Sequence, residues 1–298
     1  MRYRSFVADS ARWDGFEFRG DDIVISTAPK CGTTWMQNLC ALLIFQRPDF
    51  GRLAEISPWL DMQTRSAADV FAALGAQTHR RFIKSHTPLD GLPYDERVTY
   101  ICVARDPREV ALSWAHHIEN LHEENFVNAR GNAVGFDDLA DLPQLESVEL
   151  ETPLDRFWYW VEDPAAPVDR LESLRGTLYH LDTFWQQRDQ PNVVLFHYRD
   201  LLDDLPREMR RLATALDIAV DDARLSELAA AGSFGAMKAN ADQLAPDVTN
   251  AIWKDNTQFF DQGPGRDWRT LVPEAELPRY EARVAELCDA DLAAWVHR

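Results

Sequence analysis

Two stretches of this chain pass through the same change of rhythm. Residues 22–28 (DIVISTA) are an apolar run weighted to β-branched side chains and closed by Pro29, Lys30 and Gly32, after which residues 33–46 place apolar side chains at helical spacing. Residues 98–104 (VTYICVA) are apolar almost without a break, the pattern of a strand buried on both faces, and Asp106 and Pro107 then open a helix over 108–119. Strand, tight loop and helix, twice over, predict a parallel sheet.

The remaining pattern extends that sheet. Residues 66–77 read as a helix, 81–86 as a short strand ending in polar residues, and 192–198 (NVVLFHY) as a further strand between helices at 177–187 and 206–216. Strands alternating with helices predict an α/β fold, a three-layer sandwich with a central parallel sheet and helices on both faces. Ligands of such sheets bind beyond the carboxyl ends of the strands. Residues 123–150 show no sustained period, so a mobile loop or lid is expected at about 121–152, and residues 274–295 predict a closing helix. With no internal repeat or low-complexity linker, residues 1–298 are expected to form a single domain.

Composition narrows the function. Hydrophobic residues make up 46% of the chain and charged residues 27%, the balance of a protein that folds around a core. The 31 basic and 49 acidic residues leave a formal charge of −18, which argues against nucleic acid as a partner but leaves room for a small anion held by local donors. Four scattered cysteines (Cys31, Cys40, Cys102, Cys288) lack metal-ligand pairing and read as reduced thiols. With no apolar leader and no stretch long enough to span a bilayer, a cytoplasmic protein without a membrane span is expected.

The segment from Thr27 to Trp35 (TAPKCGTTW) carries the strongest chemistry. A loop between a buried strand and a helix N-terminus points backbone N–H groups and the positive end of the helix dipole at one spot, which suits a phosphate. Lys30 adds a full charge and Thr33 and Thr34 add hydroxyls, but the lysine precedes the glycine, unlike the usual ATP-binding loop. A plain strand-to-helix turn with a capping threonine is the competing explanation. Lysine usage adds an independent clue: of the 31 cations only four are lysines (Lys30, Lys84, Lys238, Lys254), and two of these sit at predicted strand ends.

KCGTTW at 30–35, FIKSH at 82–86 and VARDPREVALSW at 103–114 occur in this order, with SPWL at 57–60, YRD at 198–200 and the segment 259–269 as weaker matches. Together they resemble the sulfotransferases that use 3′-phosphoadenosine 5′-phosphosulfate (PAPS), in their cytosolic and bacterial form. The resemblance spans most of the chain and implies a P-loop-like nucleotide-binding fold. It also implies that Lys30, Cys31, Gly32, Thr33, Thr34 and Trp35 hold the 5′-phosphosulfate end, with Trp35 on the adenine. Arg105 and Ser113 are implied to contact the 3′-phosphate, and Tyr198 and Phe234 to lie near the adenine.

On the acceptor side the resemblance makes His86 the general base, and Lys84 neutralises charge on the transferring group. The catalytic set so implied is His86, Lys30, Lys84 and Ser113. A neutral histidine can take the proton of a hydroxyl or amine near pH 7, and sulfuryl transfer by positioning and charge neutralisation needs no metal, so none is expected. The acceptor is expected to be a small molecule, whereas the oligomeric state is not legible. His116 and His117 read as partly exposed helix residues outside the chemistry. Relatives carry a basic pair before a glycine near the C-terminus, where this chain has Asp261 and Gln262 before Gly263, so Gly263 and Arg266 are the expected donor contacts there. An ATP-dependent kinase and a non-catalytic nucleotide-binding protein are the alternatives.

Overall fold

The computed structural model of the protein describes residues 1–142, 150–246, 248–260 and 267–298. Four parallel strands, β1 (Ile23–Ser26), β2 (Phe82–Ser85), β3 (Thr99–Ala104) and β4 (Val193–His197), lie in the order β2-β1-β3-β4. Side chains alternate between faces, and here both faces are apolar. Ile23, Ile25, Ile101 and Val103 pack on one side with Met36, Leu39 and Leu43, while Val24, Tyr100 and Cys102 pack on the other with Leu174, Leu178 and Leu181. Burying each such side chain contributes about 1.5–3 kcal/mol, which is why the sheet is covered by helices on both faces. This is the α/β, P-loop-like sandwich that the sequence predicts.

Helix α1 (Thr33–Phe45) follows β1 and is buried nearly all round, from Thr33 to Leu43. Helix α2 (Pro107–Glu119) follows β3, started by Asp106, whose side chain accepts from Arg108 N, and by Pro107 at its first position. Ser26 pairs with Ser85 in the register of β1 and β2, so the chain leaves both strands at the same level. The loop after β1, the residues after β2 and the start of α2 thereby share the carboxyl edge of the sheet.

Two expectations are corrected. The closing helix is two helices, Leu277–Leu287 and Ala290–Val296, because Cys288 is extended (φ −154°, ψ 163°) and Asp289 sits as the N-cap of the second. The segment expected to be irregular begins with a helix, Glu123–Val134. Its buried face is Phe126, Ala129 and Arg130, and the arginine masks the apolar period. Arg130 is fully buried because its fork is satisfied: Nε donates to Phe6 O (3.0 Å), and Nη2 to Gln63 Oε1 (3.0 Å) and Asp138 (2.8 Å). The rest of that expected lid falls partly on 143–149, outside the described residues. Among the described residues no helix is long and apolar enough to cross a membrane.

Candidate active site

The loop after β1 is built by two left-handed residues. Lys30 has φ 67° and Gly32 has φ 108°, and the turn closes through Cys31 N donating to Ala28 O (3.2 Å). A second brace joins the hydroxyls of Thr27 and Thr33 (2.6 Å). Gly32 caps α1 without a side-chain hydrogen bond, and the first helical bond is Met36 N to Gly32 O (3.0 Å). The N–H groups of the first turn therefore have no acceptor within the helix and stand at the positive end of its dipole. Such a terminus stabilises an anion.

Three cations converge there. Arg105, at the end of β3, donates through Nη1 to Lys30 O (3.2 Å) and through Nε to Glu109 (3.0 Å), with its guanidinium 4.4 Å from the Tyr198 ring. The Lys84 ammonium lies 4.3 Å from the Trp59 ring. The Lys30 ammonium lies 4.8 Å from the Phe259 ring and 3.1 Å from His117 Nδ1. Burial, and then the positive charge of Arg105 and Lys84, push the Lys30 amine down to about 7. Three positive groups beside free helix N–H groups suit an anion.

His86 follows β2, and its Nδ1 lies 2.7 Å from Thr27 O. Because a carbonyl can only accept, Nδ1 carries the proton and Nε2 keeps the lone pair. Burial first, then Lys84, hold the imidazole well below its ordinary pKa, so it is neutral around pH 7. The residues on either side of His86 are anchored on Asp61: Ser85 Oγ (2.5 Å) and Thr87 Oγ1 (2.6 Å) donate to its Oδ2. Trp13 Nε1 also donates to that oxygen (3.2 Å), and Trp59 Nε1 donates to Oδ1. Trp59 in turn sets its ring edge-on to His86 (4.5 Å, 86°). Burial raises the Asp61 carboxyl above the usual carboxylate range, although the four donors oppose the shift.

One cavity of about 220 Å³ collects most of the expected residues: Lys30, Gly32, Thr33, Thr34, Trp35, Lys84, His86, Arg105, Ser113, Tyr198 and Phe234 all line it. Trp35 is oriented by Nε1 donating to Gly232 O (2.8 Å) and by an edge contact to Tyr198 (5.1 Å). Cys31 departs from the set: its side chain is fully buried in the core layer on the other face and does not line the cavity. Gly263 and Arg266, with Asp261 and Gln262, lie outside the described residues.

The sequence also missed participants. His117 is no bystander: it lines the cavity and bonds Lys30, whereas His116 bonds the Gln258 carbonyl (3.1 Å). Its spacing held the signal, since position 117 stands one turn after Ser113 on the same helix face. The apolar wall comes from Phe259 and Phe260, at the start of the weakly matching segment 259–269, and from Tyr3, Val7, Ala8, Leu121, Phe126 and Trp253, which no local motif marks. The cavity thus joins cations at the N-terminus of α1 to aromatic walls that reach them at Phe259 and Trp59, with His86 in the same lining.

Comparison with known proteins bears on this geometry. The sequence model of the sulfotransferase domain matches residues 20–290. A glycolipid sulfotransferase of Mycobacterium bovis is 42% identical over 305 residues, covering 99% of this chain and 93% of that protein. The sulfotransferase 1E1 of Bos taurus is 22% identical, over 90% of this chain and 83% of that protein. Among solved structures, retinol dehydratase in a complex with retinol and PAP superposes with a TM-score of 0.71 at 20% identity, covering 94% of this chain and 85% of that one. A mouse sulfotransferase complexed with PAP gives 0.68 at 21%, covering 96% and 91%.

Proposed function

This chain belongs to the sulfotransferase family, and we propose on that footing that it moves the sulfuryl group of PAPS to a hydroxyl of an amphiphilic small molecule, a glycolipid being the acceptor class its bacterial relative suggests. The observation that carries the reading is one cavity lined together by cations at a helix N-terminus, by aromatic walls and by a neutral His86.

The first turn of α1 and Lys30 would grip the 5′-phosphosulfate, and Arg105 with Ser113 the 3′-phosphate, over the Trp35 and Tyr198 rings. Gly263 and Arg266 remain part of the proposed donor site. The acceptor hydroxyl would attack sulfur while its proton passes to His86 Nε2. One S–O bond forms as the bond from sulfur to the 5′-phosphate oxygen breaks, and the sulfated acceptor and 3′-phosphoadenosine 5′-phosphate (PAP) leave. Lys30 stabilises the charge growing on the departing oxygen, and Lys84 that on the transferring group. Such preorganised charge is commonly the largest contribution to rate. Metal is absent from the scheme. The single domain 1–298, with residues 121–152 as cover of the acceptor half, belongs to the same reading, supported by Leu121 and Phe126 in the cavity wall.

The test separates binding from chemistry. PAP, and not ATP with magnesium, should raise the melting temperature, by about 2.7 kcal/mol of stabilisation at a hundredfold excess over Kd. His86→Ala should keep PAP affinity and lose about 10²–10⁴ in turnover of a glycolipid acceptor with labelled PAPS. Unchanged turnover in that variant would remove the general base, and no PAP binding would remove the donor.

A further inference from the structure

His117 is a half-buried nitrogen base in the cavity lining that the transfer scheme leaves without a task. Its ring is held on several sides: stacked on Trp114 (5.3 Å, 25°), tilted against Trp253 (4.7 Å) and edge-on to Phe259 (6.0 Å). Nδ1 stands 3.1 Å from the Lys30 ammonium. An ammonium has three donors and no acceptor, so Nδ1 accepts and the ring proton sits on Nε2.

The surroundings of Lys30 make that lone pair matter. From β3 it faces Arg105, whose charge is shared with Glu109; from β2 it faces Lys84, and from the residues after it His86. On α2 stand His117 and, bonded to Gln258 O, His116; the short helix Asn256–Phe259 brings the Phe259 ring. Among the described residues the charges that act on Lys30 are the positive ones of Arg105 and Lys84, and burial adds to the pressure on its proton. His117 is held neutral by the same burial and by Lys30 and Lys84, so it does not add to the repulsion.

We propose that His117 is the positioning residue of Lys30: its Nδ1 lone pair keeps the amine in the charged form and aims it at the departing oxygen of the donor. With three N–H groups, Lys30 can hold His117 and a phosphate oxygen together. The inference rests on the donor assignment above.

Removing the lone pair takes away a charge-assisted hydrogen bond, at the weaker end a tenfold effect, and so lowers the Lys30 pKa by about one unit. His117→Phe removes it while keeping an aromatic ring between Trp114 and Trp253, and His117→Asn restores an acceptor near the position of Nδ1. The experiment is PAP affinity by calorimetry from pH 5.5 to 9 in the wild type and both variants, where the nucleotide's own ionisation cancels in the ratios. Lys30 loses its proton as pH rises, so a lower pKa moves the alkaline limb to lower pH. His117→Phe should bind PAP nearly as the wild type does at pH 5.5 and about tenfold more weakly at pH 8, with the same limb displaced in kcat/KM, and His117→Asn should recover most of the loss. A ratio that does not vary with pH, or an asparagine variant as weak as phenylalanine, overturns the proposal. Failure of the wild type to bind PAP overturns the donor assignment first and this inference with it. Nitrogen-15 chemical shifts of the wild-type ring give a check that needs no substitution: a proton on Nδ1 instead of Nε2 would also refute it.

Discussion

Gly32→Ala isolates the contribution of the loop's backbone. Gly32 has φ 108°, a conformation that favours glycine, and a Cβ placed there would stand 2.9 Å from Tyr198 Cδ2 and 3.4 Å from Cε2. The Tyr198 ring has little freedom to retreat, since Trp35 meets it edge-on and the Arg105 guanidinium lies over it at 4.4 Å. The dihedral strain costs about 1–2 kcal/mol and the overpacking about 1–3 kcal/mol. At roughly 2.1 cal/mol/K of unfolding entropy per residue, each kcal/mol shifts the melting temperature of a chain this long by about 1.6 °C, so a fall of about 3–8 °C is expected. If the loop moves instead to relieve the clash, the first-turn N–H groups move with it, and PAP affinity should drop at least tenfold.

Gly51→Ala is the matched control. Gly51 also has a left-handed φ of 87°, but nothing lies within 4 Å of an added Cβ. It should lose only about 2–3 °C, the strain component at the same conversion, and bind PAP normally. Scanning calorimetry and titration calorimetry on the two variants give both quantities. A Gly32→Ala protein that melts within 1 °C of the wild type and binds PAP within twofold would refute the argument that this glycine is required for the phosphate loop.

Two further predictions concern buried groups. In Asp61→Asn the amide oxygen can still accept from Trp13, Ser85 and Thr87 at the Oδ2 position, which leaves an N–H₂ facing Trp59 Nε1; about 1–3 kcal/mol of stability should go, and turnover should fall at least tenfold with PAP affinity within threefold, whereas unchanged turnover would separate Asp61 from His86 placement. Burial pushes the thiols of Cys31 and Cys40 up to about 12 and that of Cys288 up to about 11, so alkylation at pH 8 should leave all three largely unmodified over an hour; rapid labelling of Cys31 would show instead that it is open to the cavity.

Local features of the site were legible because local physics makes them. A β-branched run stopping at Pro29 and Gly32 can hardly avoid being a strand that turns into a helix, and so Lys30, Thr33 and Thr34 were found at the N-terminus of α1. Lys84 and His86 were found because β2 ends there, and Arg105 because β3 does. What escaped depends on residues far apart in sequence. Asp61 reaches Ser85 and Thr87 across 24 and 26 positions, and Trp253 and Phe259 enclose His117 from more than 130 positions away. Periodicity was misleading where a polar residue was buried: Arg130 faces inward among Phe126 and Ala129, and a pattern scored on hydrophobicity sees no helix. The break at Cys288 is masked for the opposite reason: residues 282–287 and 292–295 are rich in good helix formers, and the one mark between them is Asp289 as an N-cap.

The distribution of cations explains how a chain of net charge −18 can hold a multiply charged nucleotide. Surface charge is screened within about 8–10 Å, whereas charges inside a cavity act on a ligand at contact through a poorer dielectric. Many of the arginines are spent on acids, Arg81 on Asp22, Arg108 on Asp106 and Arg130 on Asp138, and add little field of their own. In the cavity Arg105 is tied at two points, to Lys30 O and to Glu109, which suits a charge that does not move during the reaction. Lys30 and Lys84 are different: their ammonium groups lie against the rings of Phe259 and Trp59, on flexible stems. A compact ammonium can follow an oxygen as charge builds on it, at the cost of a pKa that burial can lower into the working range, and an arginine would keep its charge but not the mobility. In a chain that otherwise relies on arginine, lysine at these two positions is what a moving charge requires, and the neutral acceptor beside Lys30 is what keeps it charged.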